Sequence, residues 1–162
     1  GNVFAAASHI GVVDVMNGIN RIRLKTEQDY YNSGVMLMDL EAARVLVQPE
    51  AIFQYVRDHE NELLLPDQDV FNSLYGAQTL QIDDALWNYD ARYYSGYLLR
   101  SGGAYHMDWV MQHTAILHFC GKRKPWKRSY ATRFAPLYKH YRQLAARSGA
   151  SFVSLSAPPS HG

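Results

Sequence analysis

Beyond Asp108 the chain has no acidic residue. Residues 109–162 hold nine Lys and Arg, whereas residues 1–108 hold seven against fifteen Asp and Glu, so a formal net charge of +1 conceals two segments of opposite sign. A basic last third without carboxylates excludes a self-neutralised surface there. It implies an anionic partner, whether a phosphate-bearing substrate, an anionic membrane surface or nucleic acid. Cysteine is nearly absent too: the single Cys120 excludes an intramolecular disulfide framework and suits a reducing compartment. No apolar run approaches the roughly 18 residues a membrane-crossing helix needs, so a soluble, cytoplasmic protein is expected. Neither an internal repeat nor a linker divides the body of the chain. An initiating methionine and a signal peptide are missing as well, and Val3 to Ala7 already look like a buried strand. The chain is therefore expected to be the back part of a larger protein.

What is present suits one domain with a full core: 162 residues, 48% hydrophobic and 13% aromatic. Short apolar runs alternate with helical patterns, which predicts an α/β fold. Val3–Ala7, Gly34–Met38, Thr79–Ile82 and Ala115–Phe119 are strand candidates. Pro49 to Asn61 predicts a helix that turns Ile52, Phe53 and Val56, with Leu63 beyond it, to one face. Asp67 to Tyr75 follows Pro66 and predicts another, with Val70, Phe71 and Leu74 toward the core. Pro136 opens a third, apolar along Leu137, Tyr138, Tyr141 and Leu144 and basic at Lys139, Arg142 and Arg147. The Ser- and Pro-rich end from Ser154 to Gly162 is expected to be disordered.

Three segments carry candidate chemistry. In Tyr30-Tyr31-Asn32-Ser33-Gly34-Val35, small polar residues precede a buried run, and Asn32 offers both a donor and an acceptor to a sugar hydroxyl. Alone, that segment is better explained as a loop entering a core strand. In Leu65-Pro66-Asp67-Gln68-Asp69, two carboxylates flank an amide in the first turn of a helix, a pattern that grips sugar hydroxyls or presents a group to an electrophilic carbon. The commoner explanation is that Asp67 caps the helix and Asp69 complements its dipole. Asp67-Gln-Asp69 spells a metal-binding Asp-x-Asp, yet it lies on a helix rather than at a strand end, and no metal is assigned to it.

The third segment, His118-Phe-Cys-Gly-Lys-Arg-Lys-Pro-Trp126, is the most informative. A neutral imidazole at His118 suits a divalent metal such as manganese, a turn at Gly121 exposes backbone N–H groups, and Lys124 brings a point charge to a diphosphate. A solvated basic face is the plainer account of Lys122 to Arg128, but the fixed spacing favours the site. His9, His59, His106, His113, His140 and His161 lack comparable surroundings, and Cys120 reads as a small buried hydrophobe. Trp87, Tyr89, Tyr93, Tyr94 and Tyr97 suit sugar stacking and core packing equally.

Taken in order, Tyr31-Asn32-Ser33-Gly34-Val35 with Leu37 and Leu40, Asp67-Gln68-Asp69 with Asn72, and His118-Phe-Cys-Gly121 with Lys124-Pro125-Trp126 resemble the C-terminal motifs of glycosyltransferase family 8. The resemblance implies the C-terminal portion of a GT-A fold, a mixed sheet with flanking helices, over residues 1–130. A basic amphipathic helix over 131–150 and a tail over 151–162 would follow. It implies retaining transfer of a hexose from UDP-glucose or UDP-galactose to a glycan or lipopolysaccharide-type, lipid-linked acceptor, with Mn2+. Asn32 would contact the donor sugar or the reacting centre, Asp67 would hold donor sugar hydroxyls, Gln68 would lie beside the anomeric carbon, His118 would bind the metal, and Gly121 and Lys124 would bind the diphosphate. An amide such as Gln68 is a poor nucleophile, which favours a positioning or electrostatic role.

The family's N-terminal Asp-x-Asp half has no counterpart before Asn32, so the isolated chain is expected to bind UDP weakly and transfer no sugar. Two other classes stay open: a noncatalytic sugar-binding remnant, and a basic module for anionic surfaces or nucleic acid built on Lys122 to Arg147 with Trp126, Tyr130, Tyr138 and Tyr141. Nucleic acid is the less expected partner. Related transferases have basic, aromatic C-terminal regions, which implies peripheral contact at the inner face of the membrane.

Overall fold

Phe4–Ala6 is a run of small and aromatic residues buried on both sides, and it forms the central strand β1. A computed structural model of the chain describes residues 1–8 and 14–148; the expected disordered tail, His9 and His161 lie outside them. The chain divides into two compact units, Gly1–His118 and Phe119–Gly162.

In the first unit, β1 pairs antiparallel with β2 (Met36–Met38), Phe4 opposite Met38, and parallel with β3 (Thr79–Gln81), Phe4 opposite Thr79. The order β2-β1-β3 makes a mixed sheet. Around it lie helices α1 (Asp14–Leu24), α2 (Leu40–Leu46), α3 (Pro49–His59) and α4 (Pro66–Tyr75). A core of Phe4, Ala6, Tyr31, Ala43, Phe71 and Tyr75 joins sheet to helices, with Ile52 and Leu74 packed against it. The Phe4 and Phe71 rings meet edge to face at 5.4 Å, a favoured aromatic geometry. Phe53 departs from the expected apolar face and is 63% exposed, because α3 meets the core along Ile52, one position away on the helix.

The chain continues through α5 (Asp84–Trp87), β4 (Tyr89–Asp90), α6 (Tyr94–Arg100), α7 (Met107–His113) and β5 (Leu117–His118). Strands β4 and β5 form a separate parallel pair, with Asp90 opposite His118. Of the Tyr-rich segment, Tyr89 and Tyr97 are buried and stacked at 3.9 Å, whereas Trp87 and Tyr93 are exposed. Tyr97 donates to Asp84, which Arg100 also holds, and Asp90 is clasped by Arg92.

In the second unit, Phe119 packs edge-on against Tyr130 and Tyr138 at 6.0 and 5.7 Å. Helix α8 (Ala135–Arg147) carries Tyr138 into that cluster. Its expected apolar stripe does not continue inward: Tyr141 and Leu144 are exposed, since the aromatic cluster engages only the early turns. Among the described residues no helix is long and apolar enough to cross a membrane.

Candidate active site

Side chains from four segments of the first unit, at Asn32, Asp67 with Gln68, Asn88 and His118, are brought together by two devices. One is Asn72 on α4, almost fully buried, whose carboxamide pairs with the N–H and C=O of a single residue as a neighbouring strand would. Its Oδ1 accepts from the Tyr31 N–H at 2.6 Å, and its Nδ2 donates to the Tyr31 carbonyl at 2.8 Å. The Asn32 N–H donates to the Ala7 carbonyl at 2.9 Å. Together these bonds hold the Asn32-Ser33-Gly34 turn against the first turn of α4.

The other device is the β4–β5 ladder. Tyr89 N–H donates to the Ile116 carbonyl and Ala91 N–H to the His118 carbonyl, each at 3.0 Å. Asn88 is the C-cap of α5 immediately before β4, so the ladder that sets Tyr89 opposite Leu117 and Asp90 opposite His118 brings its carboxamide to the His118 ring.

The result is a continuous run of polar side chains. Asp67 accepts from the Ser33 hydroxyl at 3.2 Å. Gln68 Oε1 accepts from Asn32 Nδ2 at 3.2 Å and from the Ser33 N–H at 3.4 Å. Asn32 Oδ1 accepts from Asn88 Nδ2 at 3.0 Å and from the Gly34 N–H at 3.1 Å. Asn88 Oδ1 and His118 Nδ1 are 2.8 Å apart. Asn32, Gln68 and His118 are half-buried, Asp67 is exposed, and Asn88 is wholly buried. Gly34 is required here: a Cβ on it would stand 2.5 Å from His118 Cε1 and 3.1 Å from Asn32 Oδ1.

Beneath this surface Asp69 is wholly buried. Burial alone would raise its carboxyl, but hydrogen bonds from Arg23, Tyr30 and the Leu65 and Leu64 N–H groups outweigh that and hold it below the usual carboxylate range. Burial and the bond to Asp69 push the Tyr30 phenol well up. Asp69 is thus saturated by its own fold. Nor does Asp67 cap α4: residue Leu65 is the N-cap, without a side-chain bond, and the exposed Asp67 turns to Ser33 instead.

Of the residues expected from sequence, Asn32, Asp67, Gln68 and His118 converge. Gly121 and Lys124 belong to the second unit, where Gly121 has φ +79°, a left-handed turn suited to glycine. There the Lys124 ammonium donates to the Phe119 carbonyl at 3.0 Å and lies 5.8 Å from the Trp126 ring centre. Asn88 was not legible in the sequence: it stands thirty residues from His118 in a stretch dominated by aromatics, and only the short parallel ladder joins them.

Other histidines do local work: His106 caps α7, and His59 stacks on Tyr55 at 4.1 Å. A pocket of about 560 Å³ lined by Ser8, Gln81, Asp83, Asp84, Arg100 and Tyr105 holds none of the converging residues. No group of three or more His, Cys, Asp or Glu side chains placed to hold a metal exists among the described residues. The described residues thus do not complete a metal site around His118.

The chain resembles known proteins in sequence and in fold. General stress protein A of Bacillus subtilis (strain 168) is 30% identical over 118 residues, 69% of this chain and 40% of that protein. The galactosyltransferase LgtC, solved in complex with donor and acceptor sugar analogs, matches with a TM-score of 0.66 at 21% identity, over 98% of this chain and 54% of that one. The glycosyltransferase GlyE of Streptococcus pneumoniae TIGR4 matches with a TM-score of 0.58 at 17% identity, over 96% of this chain and 38% of that one. The chain thus spans about half or less of the length of these relatives, and its mixed sheet with flanking helices is the GT-A glycosyltransferase fold. Residues 12–129 match the family described as glycosyl transferase family 8, and the chain belongs to that family.

Proposed function

We propose that this chain is the sugar-binding part of a retaining hexosyltransferase that takes a hexose from UDP-glucose or UDP-galactose to a glycan or lipid-linked acceptor. The observation that carries the proposal is the unbroken side-chain run from Asp67 and Gln68 through Asn32 and Asn88 to His118. Carboxylate and amides at one end suit vicinal hydroxyls, and an imidazole at the other suits a divalent cation. In this reading His118 holds the cation, which when bound offsets charge on the departing diphosphate.

The chain's own residues do the rest. Asp67 accepts from donor hydroxyls, and Asn32 fixes the sugar through the donor and acceptor of one carboxamide. Gln68 lies beside the anomeric carbon as a dipole rather than a nucleophile, since its oxygen already accepts two hydrogen bonds. By motif, Gly121 and Lys124 serve the diphosphate. The remaining metal ligands and the uridine pocket belong, in this reading, to a part of the enzyme beyond these 162 residues. The exposed Tyr141, Arg142 and Arg147 of α8 suit peripheral contact with anionic lipid at the cytoplasmic face.

The test is transfer by the complete enzyme with UDP-hexoses and Mn2+. Lys124→Ala is expected to lower turnover roughly 10²-fold or more, the usual loss for one charge-stabilising donor. Unchanged kinetics at saturating donor and Mn2+ would remove Lys124 from the reaction, and no transfer from any UDP-hexose would leave a noncatalytic sugar-binding protein.

A further inference from the structure

We propose that Asn88 is a positioning residue for His118: its carboxamide fixes the neutral imidazole as the Nδ1–H tautomer and ties the ring, through Asn32, to the sugar-facing end of the site. The proposal rests on the reading of His118 as a metal ligand given above. Its basis is the direction of the hydrogen bonds, which two peptide groups determine.

A carboxamide offers oxygen at one end and N–H at the other, and which end faces which neighbour follows from the network. A peptide N–H has no such freedom. The Gly34 N–H, 3.1 Å from the Asn32 side chain, requires oxygen there, so Asn32 presents Oδ1 to Asn88 as well. Asn88 must then donate from Nδ2, at 3.0 Å. Its remaining end is Oδ1, a pure acceptor, 2.8 Å from His118 Nδ1. In the neutral ring Nδ1 therefore carries the proton and Nε2 the lone pair. The far end agrees independently: the Ser33 N–H requires oxygen at Gln68, and Asn32 Nδ2 donates to that same oxygen.

Two further features make the arrangement firm. Asn88 is wholly buried, so water does not compete for its amide. The Cε1–Nε2 edge of the imidazole lies against Gly34, where a Cβ would stand 2.5 Å from Cε1 and 3.2 Å from Nε2. The ring is thus tied at Nδ1 and seated at Cε1. A metal takes a neutral imidazole through its lone-pair nitrogen, and a partner on the other nitrogen orients the ring and raises its basicity. Asn88 provides that partner before any metal arrives, and the same amide passes a displacement of Asn32 on to the ring.

The first test needs neither metal nor donor. Long-range 1H–15N correlation spectra of the histidine-labelled chain are taken at about pH 8, where a histidine of ordinary pKa is neutral. They are expected to show His118 with a protonated-type Nδ1 and a lone-pair-type Nε2. Asn88→Asp keeps an acceptor for Nδ1–H and should keep that pattern while losing the bond to Asn32. Asn88→Ala should let the ring average between tautomers. An Nε2–H ring or averaged shifts in the wild type, or an unaltered pattern in Asn88→Ala, overturns the proposal. If Asn88→Ala does not fold, the wild type and Asn88→Asp decide it.

The second readout is Mn2+-dependent binding of UDP to the complete enzyme. Asn88→Ala is expected to weaken it roughly 10- to 100-fold. Should the tautomer be as stated while Mn2+ leaves wild-type UDP binding unaltered, the metal-ligand reading fails and the hold of Asn88 on the ring stands. If Mn2+ promotes binding and the ring is the Nε2–H tautomer, the positioning role fails alone.

Discussion

Two polar clusters share the first turns of α4, and they are built on opposite terms. Around Asp69 the groups are charged and saturated: one buried carboxylate takes the two terminal nitrogens of Arg23, the Tyr30 phenol at 2.5 Å and two backbone N–H groups. From Asp67 to His118 the links are single, mostly between neutral amides, and reach half-exposed groups at several points. Saturation leaves nothing to offer a ligand, whereas a chain of amides has donors and acceptors that a sugar's hydroxyls can engage. On the proposed reading, the contrast separates scaffold from site in two carboxylates only two positions apart.

The largest expected effect lies in the saturated cluster. Asp69→Ala leaves the Arg23 guanidinium facing a partly buried space, where its Nε already lacks a hydrogen-bond partner among the described residues. Breaking such a buried pair costs about 3–5 kcal/mol, read as a lowered urea midpoint. The gap between wild type and variant should depend on pH. With the folded-state pKa below the ordinary 3.8, the unfolded chain binds the proton first as pH falls. The stabilisation is therefore full above about pH 4 and lost as pH drops through the folded value. A gap that stays constant down to acid unfolding, or one under about 1 kcal/mol, would mean that the cluster is not scaffold.

Tyr30 comes next, since it bonds Asp69 and also touches Gln68, a member of the other cluster. Tyr30→Phe removes one of several donors to a charged group, which predicts a loss of about 1.5 kcal/mol. Its phenol is raised above the ordinary 10.0, chiefly by burial and then by Asp69. The unfolded chain therefore loses its proton first as pH rises, and the tyrosine's stabilisation declines above about pH 10. The difference between wild type and Tyr30→Phe in denaturation midpoints should narrow over that range.

How much of this was readable from sequence follows the same division. The strands Phe4–Ala6, Met36–Met38 and Thr79–Gln81 fall inside short candidate runs, and α4 follows a proline with periodic Val70, Phe71 and Leu74, so local pattern sufficed to place them, although the run expected to be buried leaves Leu37 and Met38 exposed on the edge strand β2. Strand β4 has two residues and exists only by pairing with β5, a long-range contact without a local signal. Phe53 was misplaced because a helix of mixed polarity offers two plausible faces and tertiary packing selects between them. At the site, Asn32, Asp67, Gln68 and His118 were legible as motif residues. Asn88 was not, and neither was the assignment of Asp67 to Ser33 rather than to capping. Both depend on which side chains a fold brings face to face.

The smallest stability effect is expected from the other carboxylate of the same turn. Asp67 is exposed and, among the described residues, is held by the Ser33 hydroxyl alone, so Asp67→Ala should change stability by no more than about 0.5 kcal/mol. Its effect on transfer should be of another order. If Asp67 accepts from donor hydroxyls, its loss removes a hydrogen bond to a charged group, and about 1.5–3 kcal/mol corresponds to a roughly 10- to 100-fold fall in kcat/KM of the complete enzyme. Measured together, the two quantities are decisive. A stability loss comparable to that of Asp69→Ala would make Asp67 a second scaffold residue, and unchanged kcat/KM would take it out of the donor site. Only the combination of an intact fold and slowed transfer fits a carboxylate that the protein has left available at the end of its amide chain.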